Sequence, residues 1–301
     1  LLGVTVNYIT RNSLGIIAPE LKATLGITTE QYSWIVGAFQ LAYTIFQPLC
    51  GWLIDVIGLK LGFMICATLW ALACIAHAGA GSWLHLAILR FFMGGAEAAA
   101  TPANAKTIGE WFPKSERPIA AGWAGVGFSI GAMLAPPIIY FAHASFGWQG
   151  AFMFTGALAL LWVVLWWAFY QTPEKHPNLS KSELEYIKQD NEAPPVKQPF
   201  FTALKTVSKN KRFYGIAIPA FMAEPAWAVL SFWVPLYLAK EHGMDLKQIA
   251  MFAWLPFLAA DLGSVVSGYL TRLYVRWFGC TRVNSVIASS VTGAFLMLSL
   301  A

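Results

Sequence analysis

Residues Trp83–Asn104 read WLHLAILRFFMGGAEAAATPAN, an apolar stretch whose only charged side chains are Arg90 and Glu97. Seven residues at 100° each bring both side chains to one helical face, about 10 Å apart along the axis. The stretch has the length that a helix needs to cross a hydrocarbon core of about 30 Å. A charge at the centre of a bilayer costs about 2.5–3.5 kcal/mol on an insertion scale. Two charges on one stripe, with a third, Arg11, in the first apolar run, point to an internal face rather than to lipid. Two readings follow: an ion pair that only holds helices together, or a binding site for an anion coupled to a proton.

The rest of the chain has the same character. It is 57% hydrophobic and 12% charged, with a mean hydropathy of +0.57, where ordinary soluble domains are about 25% charged. Apolar runs recur at 1–19, 31–54, 61–80, 83–105, 118–142, 150–170, 213–239, 248–271 and 283–301. They are continuous rather than alternating, so they predict helices and not barrel strands. The fold class expected is an all-α polytopic membrane protein. The odd number of runs suggests a piece of a longer protein that lacks its final helices, and the opening residues show no cleavable signal peptide. The four cysteines have no paired spacing and read as structural thiols. The histidines sit mostly at run ends, so no metal and no cofactor is expected.

Lysine and arginine set the orientation. Lys60, then Lys106, Lys114 and Arg117, then eight residues from Lys175 to Arg212, then Arg272, Arg276 and Arg282 follow the even-numbered runs; the opposite loops hold Lys22, Lys240 and Lys247. The positive-inside rule places the even loops and the N-terminus in the cytoplasm. The net charge of +5 follows from this asymmetry, without any nucleic-acid partner. Residues 171–212 are polar and rich in proline and lysine, with Ser180–Glu183 as a capping box and Phe200–Val207 as a short surface helix. The organisation expected is a six-helix lobe over 1–170, a basic cytoplasmic linker over 171–212, and part of a second lobe over 213–301. Substrates of such two-lobed transporters bind between the halves. A weak repeat agrees: Gly51-Trp52-Leu53 and Gly268-Tyr269-Leu270 end the second and eighth runs, each before a basic, glycine-containing turn.

Several segments resemble the major facilitator superfamily. Gly51-Trp-Leu-Ile-Asp55-Val-Ile-Gly58-Leu-Lys60 is similar to its loop motif after the second helix, in which the resemblance gives Asp55, Gly51 and Gly58 a gating and bracing role. Arg90-Phe-Phe-Met-Gly94-Gly-Ala-Glu97-Ala98 is similar to its fourth-helix motif, and Gly125, Gly127, Gly131 and Pro136 to its fifth-helix hinge. Asn7–Asn12, Glu110–Pro113 with Glu116-Arg117, Ala223–Trp227, Trp233–Tyr237, Ile249–Trp254 and Ala260–Gly263 resemble the anion:cation symporter branch, and within it bacterial hexuronate transporters. The resemblance covers nearly the whole chain. It implies a monomeric, multi-pass protein of a bacterial inner membrane that imports sugar-acid anions such as galacturonate and glucuronate with protons. Thr10 stands where several relatives carry an acid, which leaves Glu97 as the main titratable candidate in the first half.

The chemistry assigns roles. Guanidinium offers a carboxylate a two-pronged fork, which selects Arg11 as the substrate's cation. Glu97, beside Arg90, is the proton carrier. Tyr8 and Tyr43 are placed to donate hydroxyls, although plain packing explains them equally well. Gln40 and Gln47 flank Tyr43 and are candidates for the same cavity. Glu224, before Pro225, is placed to accept sugar hydroxyls or to pair with a cation of another helix. Pro225 predicts a kink there. Trp227 is placed to stack on a sugar face, and Asp261 either lines the cavity or bonds between helices. The competing readings are a symporter of another organic anion (an aldonate or an aromatic carboxylate), a membrane-embedded enzyme, and a channel. No run supplies a nucleophile with its base, or clustered metal ligands.

Overall fold

A computed structural model describes residues 1–190 and 198–279, apart from scattered side chains, most of them in the second half. The ninth apolar run, Cys280, Arg282 and the side chain of Asp261 lie outside the described residues. Among those residues the chain is helical, with no strand. Residues 1–253 form one compact unit and residues from 254 onward a second.

In the first unit, α1 (Leu2–Leu25) ends on Gly26, whose φ of 63° lets the chain turn. A capping box of Thr28 and Gln31 then starts α2 (Thr29–Ile57). Thus a three-residue turn, 26–28, joins two helices long enough to span a bilayer. Next come α3 (Leu59–Ala76), α4 (Trp83–Glu97), α5 (Ala100–Trp111) and α6 (Arg117–Phe169). At 53 residues α6 is two helices in one: Gly147, at φ 69° and ψ −174°, is the single non-helical residue within it. The expected loop near 142–150 is therefore one glycine. Taken singly, Leu59–Gly79 and Ile119–Phe169 are apolar enough to cross a membrane. The neighbouring helices carry the buried polar groups described below.

The fourth apolar run is not one helix. α4 stops at Glu97 and α5 begins at Ala100, with Ala99 N–H bonded to Ala96 O in a tighter turn. Pro102 explains the break, because it supplies no N–H for Ala98 O and its ring crowds that carbonyl. Glu97 thus ends a helix rather than lying within one.

Helix contacts use small residues, as the Gly94–Ala100 run predicts. A Cβ on Gly94 would sit 2.5 Å from Phe39 O, and one on Gly15 would sit 2.1 Å from Ser231 O. The second contact joins α1 to an irregular piece of the later chain. There α9 (Lys211–Ala228) runs into a π-helical turn, Val229–Trp233, and then α10 (Val234–His242). Pro225, where a kink is expected, lies within α9, and a π-helical turn begins four residues later. Pro235 accounts for it, since it cannot donate to Ser231 O and the ladder widens by a residue. Phe232 O is taken up by Tyr32 Oη at 2.8 Å, and Trp233 packs edge-on against the Tyr32 ring. α11 (Leu246–Phe252) opens with a second capping box, Asp245 and Gln248. In the second unit, α12 (Leu255–Phe278) begins behind Trp254 with Pro256 in its first turn.

The polar linker folds as its sequence predicts. Ser180 caps α7 (Lys181–Ile187), and α8 (Phe200–Ser208) follows. Tyr186 Oη donates to Glu116 at 2.6 Å, and Asp190 accepts from the backbone N–H of Lys114. The Lys188 ammonium, 2.9 Å from Glu174, holds that carboxyl below its usual range.

Two outcomes follow. Gly94→Val forces α2 and α4 apart and should destabilise the protein by about 1–3 kcal/mol, read as a lower Tm in detergent. Tyr32→Phe strands a buried carbonyl at a cost of about 1 kcal/mol, which favours separation of α1–α2 from the π turn about fivefold. Labelling of a cysteine placed at Ser231 by a membrane-impermeant maleimide should quicken by that factor in the Tyr32→Phe background.

Candidate substrate site

Arg11 and Glu97 meet at 2.6 Å, through Nε and Oε1. The pairing differs from the one suggested by the stripe on α4: Glu97 takes its partner from α1, and Arg90 does not pair with it. The Glu97 side chain has no exposure to solvent and that of Arg11 only 12%. The pair uses one of the five donors of the Arg11 fork and one oxygen of the carboxylate. Glu97 Oε2 has no hydrogen-bond partner among the described residues, and neither has Asn7 Nδ2.

Arg90 reaches α1 through the backbone. Fully buried, it donates through Nη2 to the backbone carbonyl of Arg11 at 3.2 Å. Its guanidinium lies 5.3 Å from the Phe39 ring and 5.6 Å from the Phe232 ring, so it touches α1, α2 and the π turn together. Its Nε has no partner among the described residues. With all three groups ionised, the cluster of Arg11, Arg90 and Glu97 carries one positive charge in excess. A buried excess charge is unfavourable by several kcal/mol and attracts an anion.

On its other side Arg11 faces a small cavity lined by Tyr8, Arg11, Gln40, Glu224, Trp227, Ala228, Ser231 and Phe232. Four of the six residues expected to bind substrate, Tyr8, Arg11, Glu224 and Trp227, are brought together there. Tyr8 and Trp227 stand edge to face at 6.5 Å, one from α1 and one from α9. Arg11 lies 5.1 Å from the Tyr8 ring centroid and 4.6 Å from that of Tyr43. Tyr43 therefore flanks the guanidinium without lining the cavity, and its hydroxyl shares a hydrogen bond with Thr101 at 2.9 Å. Gln40 is in the cavity, while Gln47, two turns further along α2, is not.

The layer formed by Gly15, Tyr32, Phe39 and Phe232 covers the cavity on the side of the α1–α2 turn. Thr10, in the place of an acid, donates its hydroxyl to Asn7 O at 2.8 Å and is occupied by the backbone. Asp55, Gly51 and Gly58 lie at the far end of α2, away from the cavity. Asp55 accepts from Lys106 Nζ at 2.6 Å and so ties α2 to α5. At 58% exposure of the Asp55 side chain, that pair contributes little stability. Gly58, at φ 95°, turns the chain into α3.

Sequence reasoning missed Ser231, Phe232 and Ala228. Nothing in their residue types marks them: Ala228 is the last residue of α9, and Ser231 and Phe232 lie in the π turn that follows it. Among the described residues no group of three potential metal ligands is present.

The Major Facilitator Superfamily model matches residues 1–301. The chain is 45% identical over 301 residues to a "Hexuronate transporter" of Escherichia coli strain K12, covering 99% of this chain and 69% of that one. It is 44% identical over 305 residues to a "Galacturonate transporter" of Dickeya chrysanthemi, covering 99% of this chain and 86% of that one. Among solved structures, a bacterial homologue of the human lysosomal transporter Spinster superposes with a TM-score of 0.68 at 20% identity, over 91% of this chain and 61% of that one. A D-xylose-proton symporter gives 0.57 at 15% identity, over 91% and 66%. Both are likenesses of fold. With a family match along its whole length and relatives of this identity, the chain belongs to the Major Facilitator Superfamily of multi-pass membrane transporters and is not an enzyme.

Proposed function

We propose that the protein imports sugar-acid anions, hexuronates first among them, together with protons across a bacterial inner membrane. The observation that carries this reading is that one buried guanidinium, Arg11, faces both a buried carboxylate and a cavity with polar walls. The names of the two relatives at 44–45% identity support the substrate class. The lysine and arginine asymmetry supports a cytoplasmic N-terminus, a cytoplasmic linker over 171–212 between lobes 1–170 and 213–301, and an outer position for the α1–α2 turn. In that orientation the Tyr32–Phe232 layer closes the outer side. The working unit in this reading is a monomer.

A hexuronate's carboxylate is ionised at neutral pH. Moving it into a negative-inside cell costs about 2.3 kcal/mol per 100 mV, which one accompanying proton cancels. The carboxylate binds Arg11, with Tyr8 beside it. Gln40, Ser231 and Glu224 address the sugar hydroxyls, and Trp227 offers an apolar ring face. When the substrate takes Arg11, Glu97 loses its hydrogen-bonded partner and is left a buried carboxylate outside any ion pair. That state is unfavourable by several kcal/mol, and protonation relieves it. Anion and proton therefore bind as a pair, and release of either frees Arg11 to return to Glu97.

In vesicles, Glu97→Gln should abolish accumulation driven by a proton gradient yet retain exchange of labelled glucuronate for unlabelled. Loss of both activities from a stable, correctly inserted protein would refute the assignment of Glu97. Arg11→Lys keeps the charge but removes the fork. The loss of a charged hydrogen bond worth about 1.5–3 kcal/mol should raise KM about 10- to 150-fold. Glucuronate, galacturonate and galactonate compared as competitors separate a hexuronate carrier from an aldonate carrier.

A further inference from the structure

Five polar side chains are buried along α1: Thr5, Asn7, Thr10, Asn12 and Ser13. Four of them spend their donor on the main chain. Thr5 bonds to Gly127 O at 3.1 Å, Thr10 to Asn7 O at 2.8 Å, Asn12 to Tyr8 O at 2.8 Å and Ser13 to Thr10 O at 2.7 Å. Asn7 is the exception. It is 1% exposed, and among the described residues its Nδ2 has no partner. A buried amide donor in this state is destabilising, and native interiors hold few of them.

The neighbours of Asn7 give the reason. It stands one turn before Arg11, and four residues at 100° place the two within about 40° on one face of α1. Arg11 Nε holds Glu97 Oε1, and the Asn7 side chain lies against the same carboxylate, short of a formed hydrogen bond. The two unpartnered atoms are thus a donor and an acceptor at one place, Asn7 Nδ2 and Glu97 Oε2. Asn7 does not line the substrate cavity, so its chemistry is directed at Glu97 rather than at the sugar.

Glu97 changes what it requires of a neighbour. Ionised, a carboxylate only accepts; protonated, it also donates an O–H. A primary amide meets both needs, since it carries an NH2 donor and a carbonyl acceptor. Half a turn about χ2 exchanges the two within the same volume. An arginine, which only donates, serves the first state alone.

We propose that Asn7 is a positioning residue for the proton on Glu97. Its NH2 donates to Oε2 when the substrate draws Arg11 away, and its Oδ1 accepts from the Oε2–H bond that forms when the proton arrives. The inference rests on the reading of Glu97 as the proton carrier and adds the group that holds it between loss of Arg11 and protonation.

Infrared difference spectra of the protein in vesicles, recorded on addition of glucuronate, test this role. Protonated Glu97 should give a carboxylic C=O band that Glu97→Gln removes. Asn7→Leu keeps the side-chain volume without a hydrogen-bonding group, and the band should move to higher frequency because the acid has lost a hydrogen bond. Asn7→Ala, which adds no bulk, should shift the band in the same direction even if the leucine variant fails to fold. In correctly inserted protein, proton-driven accumulation should fall at least about tenfold in these variants, the worth of one hydrogen bond to a charged group. The fall should be equal for glucuronate, galacturonate and galactonate. Absence of the band from the wild-type protein would refute Glu97 as the carrier and this role with it. A band that is present but unmoved in the folded Asn7 variants, or an altered order of preference among the three substrates, would overturn the role of Asn7 alone.

Discussion

The buried contact between Arg11 and Glu97 organises the first unit. An ion pair withdrawn from water gains little over an apolar contact, but either member left alone is severely unfavourable. The pair therefore does more to specify an arrangement than to stabilise it. It fixes the rotation of α1 against α4 and requires that both helices keep these faces inward. Arg90 reinforces the same registration by holding the Arg11 carbonyl. The stripe on α4 thus meets α1 twice, once through a side chain and once through the backbone.

That registration positions the closure on the side of the α1–α2 turn. Once α1 is fixed, Gly15 lies against the Ser231 carbonyl with no room for a Cβ. The π turn follows from Pro235, and it presents Phe232 O to Tyr32. One irregular turn thereby supplies cavity walls on one side and a removable seal on the other. A regular helix would offer neither, because its carbonyls would be committed to its own ladder.

The sequence makes the elements and the charged residues legible, and leaves the partnerships obscure. The amphipathic pattern of 200–207 and the cap at Ser180 depend on local chemistry and appear where the sequence places them, whereas full capping boxes stand at Thr28 and Asp245 and the fourth apolar run divides into α4 and α5. The stripe of Arg90 and Glu97 was legible as an internal face, because period 3.6 decides which residues share one. Which cation Glu97 takes was not, since it depends on how α1 sits against α4. Pro102 was visible but its effect on the helix was not drawn. The π turn ahead of Pro235 is not legible either, because such a turn depends on neighbours that donate to the freed carbonyls. The cavity residues Ser231 and Phe232 were hidden for the same reason.

The charge inventory constrains the proposed cycle further. Empty, with Glu97 ionised, the cluster of Arg11, Arg90 and Glu97 holds one positive charge. Loaded with a monoanion and with Glu97 protonated, it again holds one. The two forms that must reorient therefore present the same charge to the membrane field, and neither is held back relative to the other by the potential. The two half-loaded forms differ from them by a full charge in an apolar setting, anion alone leaving zero and proton alone leaving two. With the anion alone, Glu97 has lost its cation; with the proton alone, two guanidinium groups have no counter-charge. Both are disfavoured by the same desolvation that makes the empty site hold its ion pair. A second proton per cycle would need another buried acid in contact with this cluster. In the proposed cycle Glu97 carries the proton that accompanies the anion; among the described residues Thr10 is tied to the backbone and Glu224 is exposed.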